Sequence, residues 1–383
     1  MSNDLQPVAG EGPNFRFYDN RQKYLMFVNT CSEKGIVAQR VAQELETLTP
    51  APPALRFFDA GIGDGTVLAR VLRSMHQRFA RVPFYVAGKE ISLEDIRLSL
   101  DKMPDRFLEH PETVLALTNL PYACAPWLAS SPRIGELTWH EVALQGSTTA
   151  EFERQILALQ PFLDANWRTR ASPATGRLLP ETPTVIVLYR EDCRFILDSV
   201  IPREGLAQAE FDLVLASQPF RLRADLAFKA SRVLAPLARA LRPGGRLLGI
   251  HSAGGDPGLE IVERVWPGED PFTTSRRDLL DATRAALGEE ADAFEFDPLP
   301  DGRALFRYQM HTLPEEIDSE AESIGTSTLL AAWNAATYVA QIDDTRLARA
   351  MSNSAYLDAT RAALRKHGAL WFNDESYLIS RRG

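Results

Sequence analysis

The chain has 383 residues, 45% of them apolar and 24% charged, a balance that supplies a core of ordinary size and excludes a disordered chain. A net charge of −9 with no long basic run removes the electrostatic footprint on which nucleic-acid binders rely, so no DNA or RNA partner is expected. No stretch approaches the roughly eighteen uninterrupted apolar residues of a membrane span, and residues 1–20 lack the basic start and apolar segment of a leader; a cytoplasmic protein with no membrane partner is expected.

Residues 14–47 carry apolar residues at helical spacing, with Tyr24, Phe27 and Val28 on one face and Val37, Val41 and Leu45 on the next segment, which predicts two helices. The proline-rich "TLTPAPPA" that follows cannot continue a helix. From Leu55 the pattern becomes strand, glycine turn, helix, then a second strand "PFYVAGKEI" and a helix for which Ser92 is the expected N-cap. Apolar runs at 113–120, 184–189, 211–217 and 245–252, with helical "LAFKASRVLAPLARAL" between the last two, predict a mostly parallel sheet covered by helices. The stretch 101–210 exceeds what one strand and one helix require and contains an insertion, with 168–183 read as a loop. Helical patterns at 259–266 and 276–287 precede "AFEFDPLPDGRALFRYQM", read as a hairpin, and residues 324–366 are helical again before a last strand in "ALWFNDESYLISRR". The expected division is an N-terminal helical lid (1–50), a ligand-binding core (51–255) and cap helices with closing strands (256–383). Cys31, Cys124 and Cys193, odd in number and widely spaced, suit neither a disulfide framework nor a zinc site, and no metal is expected.

The stretch "DAGIGDG" places glycines at 61, 63 and 65 between an apolar strand and a helix, where an open α/β sheet holds its ligands. A dinucleotide fold requires G-x-G-x-x-G, and Thr66 stands where its third glycine would be, which disfavours an oxidoreductase. The G-x-G-x-G form preceded by Asp59 resembles motif I of class I S-adenosylmethionine-dependent methyltransferases. Glu90, at the end of the second strand, sits where such folds keep an acid for the ribose hydroxyls. "FDLVLASQPF" and "LARALRPGGRLLGIHS" resemble the same family's motif IV and the helix, turn and strand after it. The resemblance implies a Rossmann-like class I methyltransferase sheet with N-terminal helices and a helical cap inserted before the last strand.

The segments "FRFYDNRQKYLMFVNTCSE", "KEIS", "LTWHEV", "SAGGDPGLEIVERVWPGED" and "GALWFNDESYLISRR", with Gln218 in the motif IV loop, are together similar to the histamine N-methyltransferases. That resemblance implies S-adenosyl-L-methionine as cofactor, held by Asp59, Gly61, Gly63, Gly65, Glu90 and Ser217, and a small-molecule acceptor whose methylated atom is an amine nitrogen. It further implies Gln218 beside the reacting centre and Tyr24 and Phe27 in a lid; Tyr122, Phe220 and Trp333 are read as lining the substrate site. "TNLPY" (118–122) resembles the loop with which amino-methylating enzymes hold a planar NH2, but Leu120 breaks that motif, so it is read as lining. Methyl transfer from a sulfonium needs orientation more than acid-base help. His140 is the first candidate for a proton acceptor and His251, closing "LLGIHS", the second. The alternative is a catalytically silent methyltransferase-like binding or scaffold module, since fold does not fix function.

Overall fold

The computed structural model describes residues 21–131, 135–172, 178–312, 317 and 324–383. The part of the expected lid that lies within residues 1–20 is outside the described residues. The chain divides into two compact units, one of residues 33–253, 274–306 and 374–383, the other of residues 1–32, 254–273 and 307–373.

Ten strands form one sheet: β1 Leu55–Asp59, β2 Phe84–Lys89, β3 Thr113–Thr118, β4 Thr138–Leu144, β5 Thr184–Arg190, β6 Phe211–Ser217, β7 Leu241–Ser252, β8 Phe294–Asp297, β9 Leu305–Gln309 and β10 Trp371–Arg381. The path runs β8-β10-β7-β6-β1-β2-β3-β5-β4, with β9 paired to β10 off the path. β7, β6, β1, β2 and β3 are mutually parallel. The chain starts in the middle at β1, winds outward to β3 and returns to the other side of β1 with β6, so strand order reverses between β1 and β6. That makes the fold Rossmann-like, with its switch point at the end of β1. Alternate residues of each strand enter opposite cores, which is why the strands read as continuous apolar runs. Phe57, Leu213, Leu215 and Leu248 meet Val37, Val41, Leu68 and Val71 on one face; Phe58, Val214, Ala216 and Leu247 meet Val233, Leu237, Leu279 and Leu280 on the other.

Two local expectations are revised, and the pairing of the insertion is added to them. β5 is antiparallel to β3, and β4 lies outside it as the edge strand, so the insertion lengthens the sheet beyond β3. The loop expected at 168–183 contains a short pairing of Thr169–Ala171 with Leu178–Pro180. The two strands of the expected hairpin, β8 and β9, each pair with β10 and are separated by the short helix Asp301–Ala304. "RPGG" falls inside β7, where a register shift against β6 brings Gly245 so close to the Phe211 carbonyl that a Cβ would collide with it.

The second of the two leading helices, Glu33–Leu45, belongs to the sheet unit and buries Val37, Val41 and Leu45 there. The first, Arg21–Thr30, belongs to the other unit with helices Pro257–Val265, Thr326–Val339 and Ala355–His367. That unit is built around aromatic contacts: Phe27 stacks on Tyr338 at 4.8 Å and meets Tyr308 edge-on, and Trp333 packs between Trp266 and Tyr356 at 5.6 and 5.0 Å. No helix among the described residues is long and apolar enough to cross a membrane.

Candidate functional site

The glycine turn is fixed by two carboxylates. Asp59, closing β1, accepts from the Gly61 N–H at 3.0 Å. Gly63 has φ +56°, and its N–H donates at 2.9 Å to Oε2 of Glu90, which lies just beyond β2. Gly65, at φ +78°, precedes the helix Thr66–Arg78; a Cβ there would stand 2.6 Å from Ser99 Cα, so neither its conformation nor its surroundings admit a side chain. A Cβ on Gly61 would lie 3.9 Å from the Ser217 carbonyl oxygen, which sets the turn against the end of β6 at the switch point.

Glu90 is 8% exposed and is no solvated strand-end acid. Besides Gly63 it accepts from the N–H of Ile91 at 2.7 Å and of Ser92 at 2.8 Å, both at Oε1. A carboxylate has about four lone-pair sites, so Oε2 retains one for a further donor. Ser92 caps the next helix as expected, accepting from Asp95 N–H at 3.2 Å. Burial, helped by the charge of Glu90, raises Asp95 to about 7; burial, then Glu90, raises Asp59 to about 6. Oδ2 of Asp59 is buried with no hydrogen-bond partner among the described residues. An orphaned carboxylate oxygen, a free acceptor position on Glu90 and a turn without side chains at 61, 63 and 65 fit a ligand that carries an ammonium group and hydroxyls.

At the ends of β6 and β7 the backbone turns sharply. Gln218 sits at φ +47°, unusual for a residue with a side chain, while its N–H donates to Ile250 O at 2.9 Å. Its side-chain amide donates to Ser252 Oγ at 3.1 Å and Asp374 Oδ1 at 3.3 Å. Tyr122 donates to the Pro219 carbonyl at 2.7 Å, with Lys89 Nζ 4.7 Å from its ring centroid, so the "TNLPY" loop, the end of β2 and the loop after β6 meet. Asn119 spends its amide on the Thr184 N–H (2.8 Å) and the Thr182 carbonyl (2.9 Å), which ties β3 to β5 and leaves it a lining role. Phe220 is buried, its ring centroid 5.3 Å from Lys229 Nζ and 6.4 Å from the His251 ring. Burial lowers Lys229 to about 8 and raises the Cys124 thiol, which disfavours a reactive thiolate.

The structure therefore brings Asp59, Gly61, Gly63, Gly65, Glu90 and Ser217 to one switch point, and Gln218, Phe220 and Tyr122 to the loops beside it. His140 is elsewhere. It lies on edge strand β4, stacked 4.3 Å from Phe162, four strand spacings or about 19 Å from β1 along the sheet. Burial lowers its pKa, but it has no route to a reaction centred at β1 and β6. Tyr24, Phe27 and Trp333 stand in the aromatic interior of the other compact unit, Phe27 and Trp333 each 3% exposed.

Sequence reading named His251 as the second candidate proton acceptor but passed over its partners. His251 Nε2 lies 2.9 Å from Glu375 Oε1, directly across the antiparallel pair β7 and β10. Arg276 fixes that carboxylate through its own N–H (2.8 Å) and Nη1 (2.6 Å). Burial alone would raise Glu375, yet the hydrogen bonds from His251 and Arg276 hold it down to about 2. The acids in "NDESY" were the available signal, but only strand register links them to His251. Among the described residues no group of three or more His, Cys, Asp or Glu side chains could hold a metal ion.

No family model matches the chain, and no curated protein matches it. Solved structures similar to it include a geranyl diphosphate methyltransferase in complex with GPP and sinefungin, at 14% identity over 90% of this chain and 78% of that one, TM-score 0.31. Others are the StiE O-MT, at 11% identity over 96% and 80%, TM-score 0.34, and the CurJ carbon methyltransferase, at 9% over 91% and 54%, TM-score 0.32. At such scores the likeness decides neither family nor reaction, and the resemblance to the histamine N-methyltransferases is not shown by it.

Proposed function

We propose that this chain transfers a methyl group from S-adenosyl-L-methionine to a small polar acceptor, with an amine nitrogen favoured over an oxygen. The observation that carries the reading is the hydrogen bond between Glu90 and the Gly63 N–H, which couples the acid after β2 to a glycine turn at the switch point of a doubly wound sheet. The cofactor supplies an activated methyl on a sulfonium. Asp59 would face its ammonium group, Glu90 its ribose hydroxyls, and the side-chain-free turn would let the backbone pass beneath it. Gln218 can donate and accept but cannot act as a base, so its contribution is to orient the acceptor. Phe220 and Tyr122 exclude water around it.

Calorimetry with S-adenosylmethionine, S-adenosylhomocysteine and NAD(H), followed by a panel of amines, phenols and alcohols assayed for S-adenosylhomocysteine release, tests the proposal. Binding of the first two ligands and turnover with an amine are expected. Binding of NAD(H) alone overturns it. The scaffold reading draws support from one observation, that Gln218 already spends its amide on Ser252 and Asp374; binding without turnover across the panel would favour that reading.

A further inference from the structure

The His251 imidazole is held at one nitrogen and idle at the other. Nε2 faces Glu375 Oε1 at 2.9 Å and the Thr274 carbonyl at 3.3 Å. Both oxygens only accept, so the proton of the neutral ring resides on Nε2 and Nδ1 carries a lone pair. Nδ1 is buried and has no hydrogen-bond partner among the described residues. A buried nitrogen in that state calls for an explanation. The ring belongs to the penultimate residue of β7, on the opposite face of the sheet from Ser252, with the Phe220 ring centroid 6.4 Å away in the loop after β6. Glu375 cannot swing away, because Arg276 grips it from backbone and side chain. A fixed carboxylate, an oriented imidazole and an open lone pair are the parts of a general base.

We propose that His251 Nδ1 takes the proton of the methyl acceptor and that Glu375 is its positioning residue; this rests on the methyltransferase reading above. An acceptor amine that arrives as R–NH3+ gives one proton to Nδ1, and the ring becomes an imidazolium held by Glu375. The freed nitrogen lone pair forms the N–C bond to the methyl, the C–S bond breaks with its electron pair on sulfur, and a neutral thioether and a methylated ammonium result. The imidazolium then returns its proton to solvent.

His251→Gln retains a donor where Nε2 lies and removes the Nδ1 lone pair. With the amine of the panel that turns over fastest, kcat is expected to fall about 10²- to 10⁴-fold. The S-adenosylmethionine Kd should stay within about threefold. The ascending limb of the kcat–pH profile should move to higher pH, because the bound ammonium must then lose its proton without a base. Glu375→Gln should move that limb to lower pH, because an imidazolium without its anionic neighbour gives up its proton sooner. In the wild-type protein, a nitrogen-15 histidine NMR spectrum should show His251 protonated at Nε2 only, a readout independent of turnover and of the variants' folding. An Nδ1–H tautomer overturns the inference, as does unchanged turnover in His251→Gln, with the cofactor site left standing. Wild-type protein that binds S-adenosylmethionine but methylates nothing in the panel defeats the reading beneath it, and the inference falls with it.

Discussion

Asp59→Asn separates the electrostatics of the glycine turn from its shape. The amide oxygen can still accept from the Gly61 N–H, while the charge and the orphaned Oδ2 are gone. Burial raises the Asp59 carboxyl from 3.8 to about 6. An acid with a raised pKa stabilises the folded chain most when protonated, and its contribution is lost as pH climbs from the unfolded value toward the folded one. At about 1.4 kcal/mol per unit, charging Asp59 costs the folded state roughly 3 kcal/mol near pH 7.5 but about 1 kcal/mol near pH 4.5. The amide nitrogen, left without an acceptor, has its own cost of about 1–3 kcal/mol, but that cost is the same at both pH values and cancels in their difference. Stability of Asp59→Asn relative to wild type, from chemical denaturation followed by circular dichroism, should therefore rise by about 2 kcal/mol between these pH values. The substitution should also weaken S-adenosylmethionine binding by about tenfold, through loss of a charge-assisted contact. A stability difference that does not change with pH would show that Asp59 is ionised at no cost and would refute the argument.

Glu90→Ala removes an acceptor of three main-chain N–H groups, so it should lower the melting temperature as well as weaken cofactor binding by about 1.5–3 kcal/mol, read by calorimetry. Gly65→Ala meets backbone as well as side-chain atoms of Ser99 and an unfavourable φ; a loss of about 2–4 kcal/mol in denaturation is expected. Gln218→Ala should lower kcat/KM by about ten- to a thousandfold with cofactor Kd within about threefold, and Gln218→Gly, which also relieves φ +47°, should lose as much activity while melting higher than the alanine variant.

What could be read from sequence was local. The glycine spacing, the Ser92 cap and the apolar strands each depend on neighbours within a few residues, and the structure has them where they were expected. Strand direction is not local: β5 is as apolar as β3, and nothing in "TVIVLY" states that it runs against its neighbour. The segment "DPLPDG" has the composition of a hairpin turn, yet β8 and β9 both prefer β10, which arrives only after the helices Thr326–Val339 and Ala355–His367. His140 is a candidate on its chemistry as a proton acceptor; its strand is the outer edge of the inserted pair, a placement set by long-range pairing. Trp333 reads equally as core or lining, and stacking on Trp266 is the packing a large aromatic side chain finds in a helical interior.

Asp59 and Asp95 on one side and Glu375 on the other have opposite electrostatics. Beside Glu90, Asp59 is buried and Asp95 half-buried, and burial raises both, whereas the Thr66 hydroxyl and nearby lysines hold Asp64 down against its own burial. Across β7 and β10, Glu375 is buried like Asp59, but the hydrogen bonds from His251 and Arg276 overcome the effect of burial and hold it down. A site of the first kind gains most from a cationic ligand, since the ligand removes a penalty as well as forming a contact, and it gains less from a neutral one. Under the proposed function the donor is a sulfonium and its product an uncharged thioether, so the same carboxylates that favour the donor favour release of the product. Glu375 has the opposite use. A carboxylate that stays ionised at every physiological pH is the partner an imidazole needs if it is to take up a proton and give it back. The turn should therefore prefer S-adenosylmethionine to S-adenosylhomocysteine; Asp59→Asn, whose partner is the ammonium group that both ligands carry, should weaken both, while His251→Gln leaves both affinities unchanged.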